Sequence, residues 1–591
     1  MPMPPHSAPR TPTGRRARRP DKGRWLVDHL LLVSLFGLLV LALLAEMPWV
    51  SRPVRSHLLQ AAVVLVYTLI AAAGPALGRL ARADWRGPGL WLAALVAWSA
   101  LRAPFPAFAA AEMERVALGA GVFFLAAFVL RPGETRLLPF FLLGLGAAVA
   151  VGGLVEFGAG GIGSADAIHS VFGNHEQLGS FLVLLLPLGL ALGLDREQAA
   201  KGRLLLAQGT ALLIGAALLL ARTRSAWFGA AAALLLLVFL TVRFSSVRLT
   251  RQNRALIIGP ALLLVLAFAG LLLFGQLAPL VSRRAATLVH AGDDASLSDR
   301  LHRWRSACRM ASERPVAGWG LGAWPVMQGR WTHQGDDVSE VLGAGTGHSN
   351  LAHDFWVQWA AETGGVGLVL QVGALAAFLL AGLRALPTLD RERRTLLFGC
   401  LGAAVAGAVD MVGAPSYTFP GVSSLFWVPL GLGVAMLREG GAQPPPRRAD
   451  WLVPLGTGLV AALLVLGIGF DLRAGGRTAL RGTLLVTALP PGPVAPGTRV
   501  LWTASFRAPD GALRPTAPGT VWRVTEGALT KTSPTYLFQN KDPQRSGWQG
   551  NVAPGASRVT ATAYYWDQFS RPYEVSLPLV VKSANNNVAN P

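Results

Sequence analysis

The sequence predicts an α-helical polytopic membrane protein of about 12–13 transmembrane helices, with a large external loop and a C-terminal β-sandwich-like domain. Three observations predict it. Only 14% of the 591 residues are charged, against roughly 25% in soluble domains, and the mean hydropathy is +0.44. Runs such as 33–45, 181–194, 230–240 and 261–274 are nearly uncharged, and each extends to the roughly 20 residues that cross a bilayer core. The short arginine-rich segments 78–87, 131–136, 195–203, 243–254, 384–394 and 438–450 all fall on the side of the basic N-terminus, which the positive-inside rule assigns to the cytoplasm.

The elements follow in order. Residues 1–24 are rich in Pro and Arg and are expected to be a disordered basic cytoplasmic segment. The apolar stretch after them is too long for a signal sequence and lacks a small-x-small cleavage site, so it reads as the first span despite the Arg15-Arg16 and Arg18-Arg19 pairs. Spans are expected at 26–46, 57–77, 88–102, 115–130, 136–157, 175–194, 203–221, 225–242, 255–275, 363–383, 395–412, 418–437 and 451–471. The expected domains are a membrane domain over 25–438 with an external loop at 276–362, a cytoplasmic linker at 439–450, the last span at 451–471, and an external domain at 472–591. In that last segment apolar and polar residues alternate with Pro/Gly punctuation, as in Arg499-Val500-Leu501-Trp502-Thr503-Ala504, the pattern of short strands in a β-sandwich.

This topology puts arginine where the rule does not want it. The turn Arg222-Thr223-Arg224-Ser225 falls outside, as do Arg283, Arg284, Arg300, Arg303, Arg305, Arg309, Arg314 and Arg330 of the long loop. Binding an anion at the outer membrane surface is the simplest reason, because guanidinium is always charged and its planar fork pairs two phosphate oxygens at once. The alternative is interfacial anchoring by snorkelling. A pair of arginines in one tight turn, with more in the following loop, favours the anion. The net charge of +21 does not point to nucleic acid; much of it sits in short cytoplasmic loops, where it sets orientation and meets anionic membrane lipid.

Within the loop, 297–314 is amphipathic, with Leu301, Trp304 and Cys308 on one face and Arg300 and Arg303 flanking it. His353 stands at the start of a span, where an imidazole can accept a proton from a hydroxyl. Asp354 or Glu362 is positioned to orient it, and His348 is a rival for the same role. His169, His175, His333 and His348 show no metal-ligand spacing, so no metal site is assigned. Asp410 is the main ionisable residue inside a span, and it lies near an end, which weighs against a transporter or flippase.

These segments resemble the O-antigen ligase and O-antigen polymerase superfamily, bacterial membrane glycosyltransferases that use polyprenyl-diphosphate sugars. Arg222-Thr223-Arg224-Ser225-Ala226 resembles the family's arginine turn. Asp299-Arg300-Leu301-His302-Arg303-Trp304 with Arg314-Pro315-Val316-Ala317-Gly318-Trp319-Gly320 resembles its Arg…Trp…Pro-x-x-Gly-x-Gly segment. Ala352-His353-Asp354-Phe355 with Glu362-Thr363-Gly364-Gly365-Val366-Gly367 resembles its His-Asn/Asp…Glu-x-Gly-x-x-Gly segment. Phe172-Gly173-Asn174-His175-Glu176 also looks like a family feature. The resemblance spans roughly 30–440 and leaves the last helix and the strands outside it.

The resemblance implies an inner-membrane enzyme with its loop and C-terminal domain in the periplasm. It implies transfer of a glycan from undecaprenyl diphosphate to an acceptor hydroxyl of lipid A-core or of a growing glycan; a protein acceptor is a third variant. His353, Arg224 and Arg300 are the implied catalytic residues, with Arg222, Arg303, Glu362 and Asp354 at the substrate. No metal or cofactor is implied, since arginine serves as the leaving-group clamp. Arg222 and Arg224 compete for one role, and Asp354 stands where the family commonly has Asn or Ser.

Overall fold

The computed structural model describes residues 29–48, 50, 52–72, 106–160, 167–193, 201–244, 295–324, 351–439 and 483–507, and thereafter 513–515, 521–526, 535–539, 547–551, 558–566 and 572–581. Its helices are α1 (Leu30–Leu44), α2 (Arg52–Ala72), α3 (Pro106–Phe124, continued by a π-helical turn Leu125–Val129), α4 (Pro132–Gly160), α5 (His175–Gly193) and α6 (Lys201–Leu220). They continue with α7 (Arg224–Phe244), α8 (Ala295–Glu313), α9 (Phe355–Ala385), α10 (Arg391–Asp410) and α11 (Pro420–Glu439). Among the described residues six helices are long and apolar enough to cross a membrane, namely α4, α5, α6, α7, α9 and α11. Each expected span that falls on described residues coincides with a helix; those at 88–102, 255–275 and 451–471 lie outside them.

The helix ends follow ordinary capping chemistry. Asp354 accepts from Val357 N at 3.0 Å to start α9, and Asp390 accepts from Arg393 N at 2.9 Å to start α10. Pro132 and Pro420 occupy first-turn positions of α4 and α11, where no N–H is missed. Pro139, Pro187 and Pro429 lie inside helices, which membrane bundles tolerate when neighbours re-satisfy the freed carbonyls.

α5 and α11 are the central helices: 89% of the apolar window of each is buried, against 39% for α6 and α7 and 33% for α9. Small residues let the backbones approach. A Cβ on Gly229 of α7 would lie 2.6 Å from Ala406 O of α10, and one on Gly399 of α10 would lie 3.0 Å from Leu188 Cα of α5. α10 therefore packs against both α7 and α5, and the ends of all three meet at one end of the bundle. At the opposite end Arg394 donates to Phe244 O at 2.8 Å and Arg438 to Ala127 O at 2.6 Å, closing the last helical carbonyls.

The C-terminal segment forms two small antiparallel sheets. In the first, β1 (Thr483–Leu489) pairs with β2 (Arg499–Arg507), whose far edge is shared by β3 (Leu513–Pro515) and β6 (Gly547–Asn551). The second has the order β5 (Thr535–Gln539), β4 (Val521–Glu526), β7 (Arg558–Trp566), β8 (Pro572–Val580). Leu484, Val500, Trp502, Val559, Ala561 and Leu579 belong to one apolar cluster drawn from both sheets. The alternation expected along β2 holds, with Val500, Trp502 and Ala504 buried and Arg499 and Thr503 exposed.

Candidate active site at one end of the bundle

The turn between α6 and α7 is as tight as its sequence spacing requires. Arg222 takes a left-handed backbone (φ 54°), a conformation uncommon for a residue with a side chain and one that flags a constrained site. Thr223 Oγ1 donates to His175 O at 3.1 Å, and Trp227 Nε1 donates to Leu218 O at 3.1 Å. Gly179 leaves room for Thr223, since a Cβ there would lie 2.7 Å from it. The turn is thereby clamped onto the first turn of α5. Arg222 is buried; Arg224 is part-exposed and begins α7, where helix N–H groups favour an anion.

α8 brings Arg300 to the same place. Its Nη1 donates to Gly413 O at 3.0 Å, just beyond α10, and its Nη2 makes a close ion pair with Glu176 Oε1 on α5. Gly413 also faces Ser225. His353, again left-handed (φ 54°), places Nδ1 3.6 Å from Glu176 Oε2. Phe355 N donates to Met411 O at 3.0 Å and ties the start of α9 to the end of α10. Arg303 is buried and reaches Leu351 O at 3.3 Å. Arg300 and His353 thus converge on one buried carboxylate, and the Arg222–Arg224 turn is fastened to the adjacent His175 carbonyl through Thr223.

Two neighbours titrate away from their ordinary values. Burial pushes the Asp354 carboxyl up to about 6, against the pull of the Val357 and Trp356 N–H groups. Cys308 on α8 is raised by burial and by the Asp354 charge. Deeper in, Asp410 at the end of α10 faces Ser180, Ser225 and Tyr417. The Tyr417 hydroxyl is held well above its usual value by burial and by the Asp410 charge.

The two glycine-rich segments fasten the loop to the bundle. Gly320 N donates to Glu362 O at 2.7 Å, Trp319 N to Ala361 O at 3.1 Å, and Gly365 N to Pro315 O at 2.7 Å. α9 breaks at Gly364 (φ 69°, ψ −173°), which exposes these backbone groups for pairing. The carboxylate of Glu362, a residue expected at the substrate, accepts from Gly322 N at 3.0 Å and Trp324 N at 3.1 Å and is buried. Asp354 is likewise directed to its helix cap rather than to His353, whose carboxylate neighbour is Glu176. Glu176 is the residue that sequence reasoning missed: its partners lie 124 and 177 positions away, although a carboxylate opening an apolar span is itself a signal. His348 and His333 lie outside the described residues. Among the described residues no group of three or more His, Cys, Asp and Glu could hold a metal ion.

A bundle of apolar helices with guanidinium, imidazole and carboxylate groups gathered at one end defines a multi-pass membrane protein with a polar site suited to an anionic substrate. Residues 209–372 match the family model for O-antigen ligase, a stretch that runs from α6 through the arginine turn, α8 and the His353 segment into α9. Over those residues the chain is similar to the O-antigen ligase family, which supports a ligase- or polymerase-type function. No curated protein matches the chain.

Proposed function

We propose that the protein transfers a glycan from undecaprenyl diphosphate to an acceptor hydroxyl at the periplasmic face of the inner membrane, with lipid A-core as the acceptor. The observation that carries this reading is the convergence of Arg300 and His353 on Glu176 beside the Arg222–Arg224 turn. Arg300 and Arg224, assisted by Arg222 and Arg303, hold the diphosphate. The acceptor oxygen attacks the anomeric carbon, the bond from that carbon to the phosphate oxygen breaks, and its electron pair leaves on the diphosphate. The hydroxyl proton passes to His353. One in-line displacement inverts the anomeric centre. The arginines are most effective where charge grows on the leaving group, in a site partly shielded from water. In this role they act as the clamp that a metal supplies in other transferases.

Arg224→Ala and Arg300→Ala should each lower transfer by roughly 10²–10³-fold, the usual cost of losing one such donor, with unchanged protein in the membrane. His353→Ala should fail similarly. Full activity in both arginine variants would refute the clamp. The lipopolysaccharide pattern of a deletion strain separates the acceptors. Loss of long chains on core, with polymer accumulating on its carrier, is the ligase outcome; single-repeat capping identifies a polymerase.

A further inference from the structure

Glu176 holds two groups that the transfer reaction needs for different purposes. One oxygen pairs with Arg300. The other oxygen and His353 Nδ1 are buried, lack a hydrogen-bond partner among the described residues, and face each other at 3.6 Å. That separation is too long for a hydrogen bond, and orphaned buried polar atoms are costly enough to require a reason. The charged groups facing Glu176 are Arg300 from α8, His353 from the start of α9, His175 on its own helix, and Asp410 from the end of α10.

We propose that Glu176 is a positioning residue that couples donor binding to the base: it occupies Arg300 until a diphosphate takes the guanidinium over, and its carboxylate then closes onto His353 Nδ1. The inference rests on the diphosphate-clamp reading above. A diphosphate carries more charge than a carboxylate and offers the guanidinium fork two oxygens, so it competes well for Arg300. Released from Arg300, Glu176 accepts a hydrogen bond from Nδ1–H of His353, fixes the tautomer and leaves Nε2 to take the proton of the attacking hydroxyl. The base is thus strengthened only when the leaving group is already clamped, which disfavours proton abstraction ahead of donor binding.

The test uses the full-length protein in detergent with undecaprenyl diphosphate as the probe. Wild type should bind it and Arg300→Ala should bind it poorly; equal binding by the two overturns the clamp and the exchange together. Glu176→Gln should bind the probe about tenfold tighter, a shift set by losing one competing charge. Its kcat at saturating donor should fall at least about tenfold although donor binding tightens, a split that a merely structural role would not produce. Glu176→Asp keeps the charge but withdraws it, and should fall between wild type and Gln on each measure; it serves if the Gln variant does not accumulate. Unchanged or weaker probe binding in both Glu176 variants, with Arg300→Ala still defective, overturns the exchange and leaves the clamp standing.

Discussion

Asp354 is both a helix cap and a buried carboxylate, and the two demands pull its proton in opposite directions. The cap bond to Val357 N favours the anion, while burial favours the acid and wins, raising the group from 3.8 to about 6. A carboxyl raised on folding contributes stability that is complete below pH 3.8 and is lost as pH rises through about 6. Asn caps a helix about as well as Asp and does not titrate. The stability of Asp354→Asn in detergent should therefore gain on wild type between about pH 4 and pH 6 and hold that gain above, by at most about 3 kcal/mol. A constant difference across that range would show that burial does not govern this group. The same residue marks where local sequence stops being informative. His353 and Asp354 are adjacent in the chain, so a pair was the natural expectation; yet Asp354 turns to its own helix and the carboxylate beside His353 is Glu176 on α5. Pairings across 124 or more residues leave no local pattern to read.

The helices were legible because their cause is local. An apolar run long enough to cross a bilayer satisfies its own backbone bonds, so span positions such as 175–194 and 225–242 matched α5 and α7 within a few residues. The amphipathic 297–314 stretch was legible as a helix but its buried face was not: Leu301 and Cys308 are exposed, and α8 instead turns Ala307 and Met310 toward Trp324, Ala352 and Ala361. The break in α9 was not legible, since a Glu-x-Gly-x-x-Gly segment reads as ordinary helix until its partner is known. That partner is the Pro315–Gly320 backbone, and Gly364 is the position that admits it. Its φ of 69° is unfavourable for a side chain, and a Cβ there would lie 2.3 Å from Val316 O. Gly364→Ala should cost more than about 1–2 kcal/mol from backbone strain alone, with the collision added. Gly365→Ala meets only Pro315 O at 3.1 Å, with no left-handed backbone, and should cost much less. Thermal unfolding of the two variants in detergent checks the contrast; equal losses would show that the break does not need its glycine. If α8 is held in place through this junction, Gly364→Ala should also weaken undecaprenyl diphosphate binding through Arg300.

For the whole molecule the decisive quantity is which side of the membrane the site faces. The helices alternate in direction, so the starts of α5, α7 and α9 and the end of α10 share one end, opposite the arginine-lined starts of α4 and α10. The proposed topology follows the positive-inside rule, with that second end in the cytoplasm and the site outside. The chain carries its own reporter for this: its two cysteines are Cys308, exposed on α8 a short way from Arg300, and Cys400, buried among the helices. A membrane-impermeant maleimide applied to spheroplasts should label the wild-type protein, and Cys308→Ser should abolish the labelling. Because burial and the Asp354 charge raise the Cys308 thiol, less of it is thiolate near neutrality, so labelling should quicken as pH is raised toward the thiol's own range. Labelling that appears only after permeabilisation would put Arg300 and Glu176 on the cytoplasmic side. A periplasmic glycan carried on undecaprenyl diphosphate could not then reach them, and the arginines of 276–362 would be ordinary positive-inside residues.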